Sequence, residues 1–360
     1  MMDTEKVRIL AYYLPQFHPI PENDEWWGKG FTEWTNVCKA KPLFKGHYQP
    51  RLPADLGYYD LRVSETRVAQ ANLAQEYGIE GFCYWHYWFG NGKQLLERPF
   101  EEVLKSKEPD FPFCLAWANE SWKGLSHGLK NRKILIEQQY PGVFDYENHF
   151  YSLLSAFKDK RYIKVDNKPV FVIFKPLESP EIKVFINLWR KLAVENNLNG
   201  IYFIGISDEF NPIDLVLSTG VDAINTIRLN NMLINKLSLS KKIINYIRKK
   251  IRISPNIISY KDASIFFNDD TIDKIENVFP TIIPNWDHTP RSGYDGLVLS
   301  NSTPELFKTH VKTVLKMVNK KEQEHRIVFI KSWNEWAEGN YLEPDTKFGL
   351  KYLEALKDCL

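Results

Sequence analysis

An α/β fold of the (β/α)8 barrel type is what this sequence predicts, on three observations. Eight short apolar runs recur along the 360 residues, each rich in β-branched and aromatic side chains. Each run is nearly continuous in apolar character, as parallel strands covered on both faces must be. Helical segments lie between the runs, and no Gly-rich phosphate loop follows the first one, which argues against the open doubly wound alternative.

In chain order the runs are VRILAYYLP (7–15), GIEGFCYWHYW (78–88), FPFCLAWANESW (111–122), KPVFVIFKP (168–176), GIYFIGIS (200–207), VDAINTIRL (221–229), VFPTIIPNW (278–286) and RIVFIKSWNEW (326–336). Residues 64–77, 146–159, 179–197 and 302–320 carry apolar side chains at helical spacing. Ser64 stands where it could cap the first of these helices. Pro180 and Pro304 stand in the first turns of the last two, where the missing N–H is tolerated. Two stretches break the alternation: a long Trp-rich loop at 16–60 after strand 1, and an irregular insertion at 230–277 after strand 6. Residues 1–360 are accordingly expected to form a single catalytic domain with those two insertions.

A hydrophobic content of 44% is enough for a large core, and a net charge of +2 gives no reason to expect a nucleic-acid partner. The cysteines Cys38, Cys83, Cys114 and Cys359 show no metal-ligand spacing and read as small buried hydrophobes in a reducing compartment. The opening MMDTEKVRILAYYLPQF lacks a signal-peptide apolar region, and no run is long enough to span a membrane, so a cytoplasmic location is expected. Aromatic content is the outlier, at 14% with 11 tryptophans.

In such barrels the active site lies at the carboxyl ends of the strands. The first run ends in Tyr12, Tyr13, Gln16 and His18, the second in Trp85, His86, Tyr87 and Trp88, and the third in Trp117, Asn119, Glu120 and Trp122. The fifth ends in Asp208, and the seventh in Trp286, Asp287 and His288. Trp189 is the one tryptophan of the 11 inside a predicted helix; the rest, including Trp34, fall at strand ends or in the loops after strands. That bias predicts a cleft in which indoles stack on sugar.

The eighth run leads into WNEWAEG (333–339), where Glu335 and Glu338 stand among Trp333, Asn334 and Trp336. A spacing of three in a helical or turn-like segment puts both carboxyls on one side. Glycosidic chemistry needs one carboxyl to hand over a proton and another to carry negative charge; ~5–6 Å between them suits retention and a wider gap suits inversion. Glu335 and Glu338 are therefore the expected catalytic pair. Glu120 offers a second carboxylate site, with Asn119 beside it as a sugar-hydroxyl ligand. His86 and His127 are weaker candidates. Asp269 and Asp270 read as solvated loop acids, and no grouping has metal-site spacing, so neither metal nor cofactor is expected. Seven Lys or Arg residues interleave with isoleucines at 236–252, a pattern compatible with weak peripheral contact to an anionic membrane but equally with a solvated helix packed on one face.

The stretches AYYLPQFHPIPENDEWWGKGFTEWTNV, FKGHYQPRLPADLGYYDLR, GFCYWHYWF, WANESW and WNEWAEGNYLEPD, in that order, resemble the WbsX family. The resemblance runs from about residue 7 to 357 and is weakest in 230–277. It implies a glycosyltransferase acting in bacterial lipopolysaccharide O-antigen or capsule biosynthesis on an oligosaccharide or polysaccharide. That family is distantly similar to endo-alpha-mannosidases, retaining (β/α)8 barrels with two glutamates in a motif like NEWHEG. By position the resemblance implies that Glu335 polarises the sugar 2-hydroxyl as it attacks its own anomeric carbon, and that Glu338 is the acid/base. The sequence departs from that motif at Ala337 and Asn340. Three readings are open at this point: sugar transfer, endo-acting hydrolysis with the same residues, and carbohydrate binding without catalysis.

Overall fold

The computed structural model describes residues 7–124, 133–233 and 238–360. Eight strands form a closed parallel barrel: β1 (Arg8–Tyr13), β2 (Gly81–Trp88), β3 (Phe113–Trp117), β4 (Lys168–Ile173), β5 (Tyr202–Ser207), β6 (Ala223–Thr226), β7 (Val278–Ile282) and β8 (Ile327–Ile330). Each pairs in parallel with its neighbours in sequence. Closure comes from β8 returning to β1, with Arg8 opposite Ile327 and Ala11 opposite Ile330. The eight predicted runs supply the eight strands, each trimmed at its ends.

The outer helices include α1 (Ser64–Glu76), α2 (Arg98–Ser106), α3 (Val143–Phe157), α4 (Ile182–Glu195), α5 (Ile213–Leu217), α6 (Leu239–Lys250) and α7 (Pro304–Val318). Pro304 occupies the first turn of α7 as expected, and the Thr303 hydroxyl accepts from the Leu306 N–H. Two expectations about helix starts are corrected. Ser64 is the first helical residue and makes no side-chain cap, Val63 being the N-cap. Pro180 lies ahead of α4, whose N-cap is Glu181. The short α2 and α5, nine and five residues long, did not stand out as periodic runs because each spans too few turns.

The Trp-rich loop contains two short helices, Pro21–Trp27 and Glu33–Lys39. The insertion after β6 holds α6 and a short strand, Asn256–Ser259, that pairs in parallel with Leu297–Ser300 from the loop after β7. Inside the barrel, the Tyr12 hydroxyl donates to Asn225 Oδ1 at 2.8 Å, and Asn225 Nδ2 donates to Thr281 Oγ1 and the Phe279 carbonyl. This satisfied polar layer lies beneath the mouth, and Tyr12 stacks under Trp85 at 4.8 Å. Cys83 and Cys114 are buried as expected, but Cys38, on the peripheral helix Glu33–Lys39, is exposed and Cys359, in the turn after the last helix, only half-buried.

Candidate active site

A cavity of about 280 Å³ opens at the carboxyl ends of the strands and draws its walls from all eight strands or the loops that follow them. Gln16, Trp85, Glu120, Trp122, Asp208, Trp286, Glu335 and Glu338, all singled out from the sequence, line it. Tyr87, Phe174, Glu209, Arg291 and Lys331 line it as well.

The turn after β8 sets the two glutamates. The Ser332 hydroxyl accepts from the N–H groups of Asn334 and Glu335, fixing the chain as it leaves the strand. Residues 336–338 make one 3₁₀ turn that ends at Gly339 with φ +57°. A Cβ there would sit 2.7 Å from Asp287 Cβ, so glycine is required on both counts. Glu335 and Glu338 thereby line the same wall of the cavity, each close enough to act on the other's charge.

Their surroundings differ. Arg291 Nη1 donates to Glu338 Oε1 at 2.5 Å, and its Nη2 and Nε both donate to buried Glu33 at 2.6 and 3.0 Å. Burial is the largest influence on the Glu338 carboxyl and pushes it up, but Arg291, His288 and Lys331 together pull it further down, and the net direction is down. Glu335 is also buried; its Oε2 has no hydrogen-bond partner, and Lys331 Nζ lies 3.9 Å away. Desolvation, then the charge of Glu338, push the Glu335 carboxyl up to about 8. The surroundings thus push the two carboxyls in opposite directions, Glu335 towards holding a proton and Glu338 towards carrying charge. His288, its Nε2 3.6 Å from Glu338 and its value lowered by burial, completes this wall.

The remaining candidates divide by position. Glu120 faces the cavity from the β3 side, paired with Lys175 at 2.8 Å. Asp208 reaches the cavity, with Oδ1 closing a turn onto the N–H groups of Phe210 and Asn211. Asn119 does not line the cavity: it links β3 to β4, exchanging hydrogen bonds with the Lys175 backbone at 2.8 Å each way. Asn334 likewise exchanges bonds with the Leu14 backbone. Asp287 is fully buried and accepts from His47, Gln49 and Thr289 instead of meeting solvent. Tyr13 donates to Gln70, and His18 contacts the Pro15 carbonyl. His86 pairs with His149 at 2.8 Å, and burial holds His86 down at about 3. His127 lies outside the described residues. Asp269 closes a loop turn onto the N–H groups of Thr271 and Ile272.

The tryptophans are the main departure from expectation. Trp85, Trp122 and Trp286 line the cavity. Trp34, Trp88, Trp117, Trp333 and Trp336 are buried in packing. Trp34 donates to the Tyr59 carbonyl, Trp88 to Asp145, Trp117 to the Trp88 carbonyl and Trp336 to Glu343, while Trp333 packs on Phe82. Two physical reasons apply: Trp34 and Trp336 pack on each other beneath the Trp-rich loop, which needs a second apolar layer, while Trp88 and Trp117 pack against His149 of α3 between barrel and helices.

Glu343 anchors that layer. Its carboxylate accepts from Trp336 Nε1 and Gln70 Nε2 at 2.6 Å and from the Tyr59 hydroxyl at 2.8 Å. Glu343→Ala leaves three buried donors unpaired at about 1–3 kcal/mol each. The urea midpoint is expected to drop by the equivalent of at least 3 kcal/mol; a drop under 1 kcal/mol would contradict the anchoring role.

Sequence reading missed Arg291, Lys331 and Glu33. Lys331 carried a signal, a cation directly after an apolar strand, but Arg291 and Glu33 meet across 258 residues with no local pattern to pair them. Among the described residues, Glu276, Glu322 and His325 bring three possible ligand atoms within 4.8 Å of one another. They precede β7 and β8, at the barrel end opposite the cavity. No helix among the described residues is long and apolar enough to cross a membrane.

The comparisons with known proteins agree with this architecture. A solved structure described as a glycoside hydrolase-like protein superposes with TM-score 0.62 at 16% identity, covering 99% of this chain and 95% of that one. The GH99 endo-alpha-mannosidase from Bacteroides thetaiotaomicron, in complex with bis-tris-propane, superposes with TM-score 0.58 at 13% identity over 98% of this chain and 95% of its own. At these identities the likeness is one of fold. The barrel and its family together place the chain among carbohydrate-active enzymes. The family model "Glycosyltransferase WbsX" matches residues 9–356, and the chain belongs to that family. The uncharacterized protein WxcX of Xanthomonas campestris pv. campestris is 34% identical over 362 residues, covering 99% of this chain. The chain spans about half the length of the WxcX proteins it matches (50%).

Proposed function

We propose that this protein is a glycosyltransferase-like enzyme of bacterial cell-surface polysaccharide assembly, O-antigen or capsule, acting on an oligosaccharide or polysaccharide. The observation that carries the reading is a pair of buried glutamates at the end of β8, pushed in opposite directions by their surroundings, in a cavity with three indoles in its walls. Trp85, Trp122 and Trp286 offer flat faces for sugar rings. We take the route that the resemblance to endo-alpha-mannosidases implies: the nucleophile is the substrate's own 2-hydroxyl, and retention follows from two successive displacements.

Burial pushes Glu335 up and the nearby cations pull Glu338 down, and on those directions we reverse the roles the resemblance implies. We assign the acid role to Glu335, which protonates the departing oxygen, and the base role to Glu338, which takes the 2-hydroxyl proton. In the second step Glu335 takes a proton from the incoming acceptor hydroxyl and Glu338 returns one to the 2-oxygen. Hydrolysis is the alternative reading, in which water takes the acceptor's place. The fold shared with an endo-alpha-mannosidase favours keeping it in the test.

Mass spectrometry of products from a panel of oligosaccharides and sugar nucleotides separates the readings. A lengthened glycan supports transfer, a shortened one hydrolysis, and silence across the panel leaves binding without catalysis. The pH profile adds a second check. The active pair needs Glu335 protonated and Glu338 ionised. Its raised value keeps Glu335 protonated until about pH 8, and its lowered value keeps Glu338 ionised below the ordinary carboxylate range. Turnover is expected to fall as pH rises through about 8; a rate still climbing above that value removes Glu335 as the proton carrier.

A further inference from the structure

Between 236 and 252 the chain has seven Lys or Arg residues and no acid, and six of the seven lie on helix α6 or the turn that follows it. Their apolar residues recur at 239, 243, 246, 247 and 251, the spacing that aligns side chains along one flank of a helix. In a helix packed on a barrel that flank would be buried. Here Leu239, Ile243, Tyr246, Ile247 and Ile251 are between 50% and 74% exposed. Lys249 reaches Asp295 of the loop after β7 at 3.0 Å, which holds the helix from its charged side while its isoleucines are exposed.

We propose that α6 lies flat on the surface of an anionic lipid bilayer, isoleucines in the headgroup–acyl boundary and Lys and Arg against lipid phosphates. Charge decides this occupant. A second copy of the same face would bring two sets of like charges together without a counterion, and an acidic soluble ligand would leave the isoleucines in water. An anionic bilayer satisfies both sides of the helix at once. The insertion follows the carboxyl end of β6, the same barrel end on which Leu229 and Asn230 line the cavity. Docking therefore turns the open end of the barrel towards the lipid surface.

The test is co-sedimentation of the full chain with phosphatidylcholine vesicles, with and without phosphatidylglycerol, at about 50 mM and about 500 mM salt. Binding is expected only with phosphatidylglycerol, weakening about ten-fold or more at the higher salt as screening sets in. Ile243→Glu with Ile247→Glu, and separately Arg248→Glu with Lys250→Glu, change exposed side chains and are expected to abolish binding while leaving the circular dichroism spectrum unchanged. No binding at low salt overturns the proposal. So does equal binding to phosphatidylcholine, or a dimer in sedimentation equilibrium that either double variant dissolves.

Discussion

Glu335→Gln and Glu338→Gln are each expected to lower turnover by roughly 10²-fold or more, the usual scale for losing a positioned acid or base. Both amides keep the shape of the side chain, so folding is expected to be preserved. The two variants separate on leaving group. A donor whose aglycone is a good leaving group needs no proton, so Glu335→Gln should regain most of its activity on such a donor. Glu338→Gln should not, because deprotonating the 2-hydroxyl is needed whatever departs. Rescue of Glu338→Gln in place of Glu335→Gln would restore the roles that the resemblance implies. Full activity in either variant on a natural substrate would remove the pair from catalysis. Arg291 is what distinguishes the two glutamates, since its three donating nitrogens go to Glu338 and Glu33 and none to Glu335.

The second large effect is on stability. Asp287 is buried, yet its carboxyl is held below the usual range: burial pushes it up, and His47, Arg51 and Thr289 pull it further down. Asp287→Ala strands His47 and Gln49 and leaves the Arg51 guanidinium, 3.8 Å away, without its nearby carboxylate. Breaking a buried charged pair from one side costs about 3–5 kcal/mol, read as a fall in the urea midpoint. A lowered folded value means the stabilisation is present above the unfolded carboxylate value and is lost as pH falls through the folded one. The difference between wild type and Asp287→Ala should therefore shrink in acid. A midpoint within 1 kcal/mol of wild type at neutral pH would show that Asp287 is not the clamp its bonds describe.

Barrel strands were legible because burial on both faces writes itself into consecutive residues; Lys168–Ile173 and Tyr202–Ser207 need no context to be seen. The carboxylate pair was legible because the turn after β8 is local, three residues long and rich in chemistry. What escaped was every feature made by residues distant in sequence. Arg291 and Glu33 belong to different loops, and nothing near either announces the other. The tryptophans misled for a related reason: an indole in a loop over a barrel rim looks alike in sequence whether it faces sugar or a second packing layer. Trp286 lines the cavity and Trp34 lies in the second layer, and only the path of the intervening chain decides.

Asp287 also bears on how this enzyme could diversify. Its backbone N–H holds the Glu338 carbonyl at 2.6 Å, while its side chain holds His47 and Gln49 of the loop after β1. Barrel enzymes ordinarily vary their loops as separable modules. Here the loop after β1, the loop after β7 and the turn after β8 are cross-wired through one residue, Asp287, by its side chain and its backbone. A new specificity cannot be grafted in by exchanging any of the three alone. Residues 47–51, 287–291 and 335–339 would have to be inherited together, as one cassette.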